Sequence, residues 1–236
     1  MSVALRELRK CAQFESLSAT DLGQLASRLR CRSYPRGTVI YSPSQPMSCV
    51  LVLTSGRVKI KIPAAIRDGR EAVPEDAREA VLSYVSAAEL FGESALLQSR
   101  SRPEWAEAVE DSDLLAIPSS DVCALMGERP ALARAILELI GIRRQRVETR
   151  LADRSLLSCR DRVVRMLLEL SETHGDVTGE RVEIRIPLSH HDLAGLVGMS
   201  RETVTLALGE LQSAGLVEAY RRRIVVADVR RLGREL

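Results

Sequence analysis

The sequence predicts an α+β protein in which a small antiparallel β-barrel or sandwich is followed by a long helix and then by a helix-turn-helix with a hairpin wing. Three observations predict this. Between residues 38 and 117, short β-branched or aliphatic runs are separated by Gly, Pro, Ser or Asp. From Leu132 to Leu151, apolar residues recur every three or four positions, the period of one helix face. Near the C-terminus, two short amphipathic segments flank a glycine, and each is preceded by a serine able to cap it.

Taken in order, the first element is a capped helix, where Ser18-Ala-Thr-Asp21 leads into Leu22, Leu25, Ala26 and Leu29 on one apolar face. The expected strands are Thr38 to Tyr41, Cys49 to Thr54, Val58 to Ile62, Ala80 to Val85, Trp105 to Val109 and Leu114 to Ile117. The charged interval Pro63 to Arg78 reads as a long surface hairpin connection or insertion. Ser119 is placed to cap a helix over Asp121 to Met126. Pro130 then opens the long helix, whose repeat runs Leu132, Ile136, Leu139 or Ile140, Arg143, Val147 and Leu151. At that length it can line one domain and also form a parallel seam with a second copy through Leu132, Ile136, Leu139, Ile140, Val147 and Leu151; an ordinary core helix is the alternative. The period loosens between Ala152 and Ser158, which marks a hinge. The expected division is therefore 1–128 for the barrel, 129–154 for the long helix and hinge, and 155–236 for the C-terminal domain.

The C-terminal domain carries the clearest chemistry. A helix around Val163, Val164, Leu167 and Leu168 leads through a turn at His174-Gly-Asp to a strand over Val182 to Ile186. Ser189 is then a good N-cap, with Asp192 in capping-box position and Leu193, Ala194 and Val197 facing inward. Gly198 ends that helix. Ser200 caps the next, whose Val204, Leu208 and Leu211 form the buried side. In this plan the second helix enters the major groove of a duplex. Its outer side presents Arg201, Glu202 and Thr205; an Arg can fork onto guanine O6 and N7, and a Glu can accept from cytosine N4. Segments Leu216 to Tyr220 and Ile224 to Ala227 form the wing around Arg221, Arg222 and Arg223, a cluster suited to phosphates. His190 and His191, at the start of the first motif helix, are placed to meet a phosphate or solvent rather than a metal.

Composition bounds the partners. Hydrophobic residues make up 45% and charged residues 28% of 236, the balance of a globular protein with room for two modest cores. No apolar run is long enough to span a bilayer, and the N-terminus lacks a secretory pattern, so the expectation is a cytoplasmic protein with no membrane partner. Cys11, Cys31, Cys49, Cys123 and Cys159 show no CxxC pair or Cys/His cluster, and they read as buried small apolar residues. From Arg160 to Leu236 twelve Arg balance twelve Asp or Glu, so duplex binding must draw on local arginine clusters and helix ends rather than on a bulk positive field.

The stretch Leu188 to Val226, with LVGMSRETV, ALGELQSAGLV and RRIVV, resembles the DNA-binding domain of the cAMP receptor protein/FNR (Crp/Fnr) family, and the Phe91-Gly92-Glu93 turn and long helix extend the resemblance over nearly the whole chain. It implies a cyclic-nucleotide-binding-type jelly roll, a dimerisation helix and a winged helix-turn-helix. It also implies a homodimer on double-stranded DNA, with RNA polymerase as a further partner. DNA contacts would fall to Ser189, His190, His191, Ser200, Arg201, Glu202, Thr203, Thr205, Leu206 and Arg221 to Arg223. In nucleotide-binding members a Gly-Glu turn and a following Arg hold the ribose and the cyclic phosphate, which implies Gly92, Glu93 and Arg102 here. Two departures count against cAMP. Pro103 stands where a small hydroxyl residue assists the phosphate, and Val147 and Glu148 stand where hydroxyl residues face the purine. Leu206 likewise replaces an Arg of the DNA-reading pattern. An iron–sulfur version needs an N-terminal cysteine cluster and a haem version an axial ligand in the barrel; only Cys11 lies near the N-terminus, and all three histidines are C-terminal.

A ligand-gated regulator thus leads, with a ligand-independent factor controlled by its abundance as its rival. A small-molecule module acting on a protein partner is a reading of a different class, opposed by the Arg201-Glu202 face. No paired carboxylates, Ser/His/Asp set or phosphate loop supports an enzyme.

Overall fold

A computed structural model describes all residues except 1–2, 44, 47, 64–78 and 98–103. The charged interval read as an insertion therefore lies almost wholly outside the described residues, as do Arg102 and Pro103. The chain divides into two compact units that part the long helix between Arg146 and Val147.

Among the described residues of the N-terminal unit, α1 (Val3–Leu8) and α2 (Ala19–Arg28) precede eight strands: β1 (Arg30–Tyr34), β2 (Val39–Tyr41), β3 (Cys49–Ser55), β4 (Val58–Pro63), β5 (Glu79–Val85), β6 (Leu90–Phe91), β7 (Trp105–Ala108) and β8 (Ser112–Pro118). They form two four-stranded sheets, ordered β1-β8-β3-β6 and β2-β7-β4-β5, the two-layer jelly roll expected. Alternation explains the packing: β3 sends Val50 and Val52 to one face and Leu51 and Leu53 to the other. Leu51, Leu53, Phe91, Ala106 and Leu114 fill one core, where Tyr41 stacks on Phe91 at 6.2 Å. Val50, Val52, Leu115 and Ile117 meet the helices in the other.

Two strands escaped the sequence reading. β1 has four exposed residues of five, so it shows no alternation, and β6 is only two residues long. Ser119 does not cap α3 (Ser119–Glu128); it is the helix's first residue, and its hydroxyl donates to the Ser48 carbonyl at 3.2 Å. The cysteines are also not a buried set: Cys11 alone is buried, which pushes its thiol up to about 11, while Cys31, Cys123 and Cys159 are exposed.

The long helix, α4 (Pro130–Leu156), has 27 residues and continues through the expected hinge nearly to Ser158. It carries the two stripes expected, but the residues divide between them differently. Leu132 and Ile136 are fully buried in the unit's own core, with Leu139 packed beside them and Arg143 next in the same register. Leu132 and Ile136 therefore cannot form a seam with a second copy. Ile140 is half-buried and also packs on that core, whereas Leu137, Val147 and Leu151 follow the other stripe and are 66%, 47% and 65% exposed.

In the C-terminal unit, α5 (Cys159–His174) packs against α6 (His190–Val197), α7 (Arg201–Ser213) and α8 (Val229–Gly233). A sheet ordered β11-β12-β10-β9 completes it, from β9 (Gly175–Thr178), β10 (Arg181–Ile184), β11 (Val217–Tyr220) and β12 (Arg223–Val226). Where a turn was expected after His174, the chain forms β9 and pairs back on β10.

One ion pair ties sequence-distant elements together. Asp21, the capping-box residue of α2, accepts both Nε and Nη2 of Arg129 at 3.1 and 3.0 Å in the link between α3 and α4. That fork, with the Ser18 hydroxyl, holds the Asp21 carboxyl down to about 2, against an ordinary value of 3.8. Because the folded state favours the ionised form, the stabilisation is complete above about pH 4 and is lost as pH falls toward 2. Urea denaturation followed from pH 5 to 2.5 should show the N-terminal unit losing stability over that window. Arg129→Ala should start lower and lose less; equal losses in both proteins would refute the linkage.

Candidate nucleic-acid interface and effector pocket

The interface is set by how two helix ends are closed. At the start of α6, the Ser189 hydroxyl accepts the Asp192 N–H at 3.1 Å, while the Ser189 N–H donates to Asp192 Oδ2 at 3.1 Å, the reciprocal capping box expected. At its end, Gly198 adopts the left-handed conformation (φ 68°, ψ 42°), which any side chain would strain, and its N–H donates to the Ala194 carbonyl. Two residues later the Ser200 hydroxyl accepts the Thr203 N–H at 3.2 Å and opens α7.

Val204, Ala207, Leu208 and Leu211 of α7 are buried, which turns the opposite face outward. That face carries Arg201, Glu202, Thr205 and Leu206, the last 71% exposed. Ser200 and Thr203 are tied together by their hydroxyls at 3.0 Å and serve the cap. Thr205 donates its hydroxyl proton to the Arg201 carbonyl at 2.8 Å and lies 2.9 Å from His190 Nδ1. His191, the next residue of α6, is exposed.

The three wing arginines do not act alike. Arg221 and Arg222 form the exposed tip, Arg222 with a positive φ of 59°. Arg223 is drawn into the sheet, where its Nη2 donates to Glu183 Oε2 at 2.7 Å and its guanidinium lies 5.7 Å from the Tyr220 ring centroid. Arg223 thus has an ionic and an aromatic neighbour beside the tip.

In the barrel, Gly92 has φ 70° and turns the chain so that Glu93 begins a short 3-10 segment, Glu93–Leu96. The Glu93 carboxylate accepts Arg143 Nη1 at 2.5 Å, and Arg143 Nη2 donates to the Leu90 carbonyl at 2.7 Å. Both side chains are mostly shielded from solvent, so the pair is better insulated than a surface ion pair. Arg143 is the residue the sequence reading missed. Its signal was present: a guanidinium in the inward register of an apolar stripe needs a partner on the facing element. Val147 and Glu148 are exposed on α4 beyond Arg146. Among the described residues, no three His, Cys, Asp or Glu side chains converge as a metal site, and no helix is long and apolar enough to cross a membrane.

Comparison with known proteins agrees with both halves of this geometry. The sequence model of a cyclic nucleotide-binding domain matches residues 31–129, and that of a Crp-like helix-turn-helix domain matches residues 161–235. The chain is 30% identical over 204 residues to the cyclic AMP receptor protein of Thermus thermophilus, covering 86% of this chain and 87% of that one. It is 25% identical over 227 residues to a CRP-like cAMP-activated global transcriptional regulator of Mycobacterium tuberculosis, covering 96% and 97%. Among solved structures, the c-di-GMP responsive global regulator CLP of Xanthomonas campestris superposes with a TM-score of 0.71 at 25% identity, covering 89% of this chain and 99% of that one.

Proposed function

Because this chain belongs to the Crp/Fnr family of transcription regulators, we propose that it acts as a cytoplasmic homodimer reading a near-palindromic duplex, with its barrel as the seat of a small effector. The observation that carries the DNA reading is the outward face of α7, where Arg201, Glu202 and Leu206 stand together on a helix capped at its groove-facing end. Contacts to phosphate would come from the α6 start at Ser189, His190 and His191 and from the wing tip at Arg221 and Arg222. The working division is a sensor over 1–128, the dimer helix and hinge over 129–154 and the DNA-binding head over 155–236. RNA polymerase is the partner through which such a protein would act on transcription.

For the dimer, the stripe Leu137, Val147 and Leu151 supplies the seam, with half-buried Ile140 at its margin, because it leaves apolar side chains exposed along one helix face while the other stripe is used inside the unit. Val147→Glu combined with Leu151→Glu should give folded monomers with weakened DNA binding. Ile136→Glu should instead unfold the barrel, since it buries a charge with no partner. Sedimentation and thermal melting separate the outcomes; a double variant that remains dimeric refutes the seam.

The effector reading rests on relatives whose names record cAMP and c-di-GMP, and on Gly92 and Glu93 at the turn, with Arg102 as the anion partner. One observation favours a ligand-independent regulator instead: Arg143 already gives Glu93 its charge partner inside the protein. The two part on a thermal-shift panel of cyclic mono- and dinucleotides. A stabilising nucleotide whose effect is lost in Arg102→Ala supports gating; no shift with any of them supports the rival.

On DNA, half-site centres should lie about 34 Å apart, one turn of the duplex. Arg201 and Glu202 should specify a G·C-containing half-site, and Leu206 should favour a thymine methyl where the family pattern has an Arg. Sites selected from a randomised duplex pool should be symmetric. Glu202→Ala should relax one position by about 1–3 kcal/mol, and Leu206→Arg should shift preference toward guanine at its own position. An asymmetric selection, or unchanged base preference in Glu202→Ala, would overturn the assignment.

A further inference from the structure

We propose that each DNA-binding head takes up one proton on His190 when it engages a duplex, so that DNA affinity is coupled to pH. The inference rests on the DNA reading above and on a question of which atom holds which hydrogen. Thr205 has one hydroxyl proton. Its Oγ1 lies 2.8 Å from the Arg201 carbonyl, which can only accept, so the proton is committed there. His190 Nδ1 lies 2.9 Å from the same Oγ1, which can therefore only accept from the ring. Nδ1 must carry a hydrogen. In the neutral ring Nε2 is then a bare acceptor, and a phosphate oxygen is an acceptor as well. The two repel unless Nε2 gains a proton from solvent, and with that proton the contact becomes a charge-assisted hydrogen bond.

The charged surroundings do not supply the phosphate with another route through this ring. On its own helix His190 is followed by His191, which is exposed, and by Asp192, whose Oδ2 takes the Ser189 N–H and hydroxyl in the capping box. From α7, Arg201 and Glu202 stand within one turn of Thr205. From α5, which packs on α6, Arg162 reaches the Val197 carbonyl at the opposite end of that helix. The chain holds three histidines, and His174 lies at the end of α5, so proton-linked binding near neutral pH has few possible sources.

The lock can be read directly. Long-range nitrogen–hydrogen NMR of the free protein at pH 8 should show His190 as the Nδ1–H tautomer; the Nε2–H tautomer would overturn the proposal. Anisotropy titration with a selected duplex should show affinity falling about five- to tenfold per half-site from pH 6 to 8. The slope of log affinity against log salt should also be steeper at pH 6, by roughly 0.9 per half-site. His190→Gln should bind weakly at both pH values and His190→Lys tightly at both, while His191→Gln should keep the parent's pH dependence. Flat binding by the parent, or loss of the pH dependence in His191→Gln, would overturn the proposal alone. No duplex binding by the folded protein at either pH would overturn the DNA reading and this inference with it.

Discussion

The chain must reverse between Val197 and Arg201 without burying an unpaired backbone group, and the DNA-facing architecture hangs on that constraint. Helix ends leave orphan N–H and C=O groups, and an orphan that is buried costs roughly 1–3 kcal/mol. Here the accounts close locally. Gly198 and Met199 both return their N–H to the Ala194 carbonyl, and the Ser200 hydroxyl receives Thr203. A Cβ at Gly198 would meet Arg154 no closer than 3.5 Å, so glycine is required there by its positive φ rather than by space. With the turn fixed, the buried side of α7 is fixed, and with it the residues that face out.

That local closure explains why the C-terminal domain was so legible. Ser189, Asp192, Gly198 and Ser200 act on neighbours within four residues, and each was read with the role it has. The jelly roll was legible as a class for a similar reason, since β3 and β8 carry dense apolar runs. What sequence missed was long-range or featureless. β1 is exposed on nearly every residue and is held by backbone pairing to β8, which leaves no pattern in its side chains. The contact of His190 Nδ1 with Thr205 joins residues fifteen positions apart on two helices. Ser119 shows the opposite error: a good capping residue stands one position inside its helix because Pro118 ends β8 and starts the turn of α3.

The long helix shows how one apolar period can serve two tasks without saying which residue serves which. One apolar period admits both Leu132-Ile136-Leu139-Arg143 and Leu137-Val147-Leu151, and only packing tells them apart. Arg143 closes the first stripe. By pairing with Glu93 and the Leu90 carbonyl it ties the helix to the Gly92 turn, the place where family resemblance puts an effector. Any ligand that drew Glu93 toward itself would have to satisfy Arg143 as well, so ligand contact and helix contact share one carboxylate.

Arg222 carries a different lesson. At φ 59° it occupies a region where a residue with a Cβ costs about 1–2 kcal/mol more than glycine, in a tight hairpin that asparagine or glycine would close more easily. The hairpin is thus less stable than its backbone alone would allow, and the surplus strain sits at the point where the chain displays its positive charge. A designer who optimised this domain for thermal resistance would replace that residue first. The replacement would harden the fold while removing a positive charge from the tip, so durability and displayed charge are set against each other at a single position.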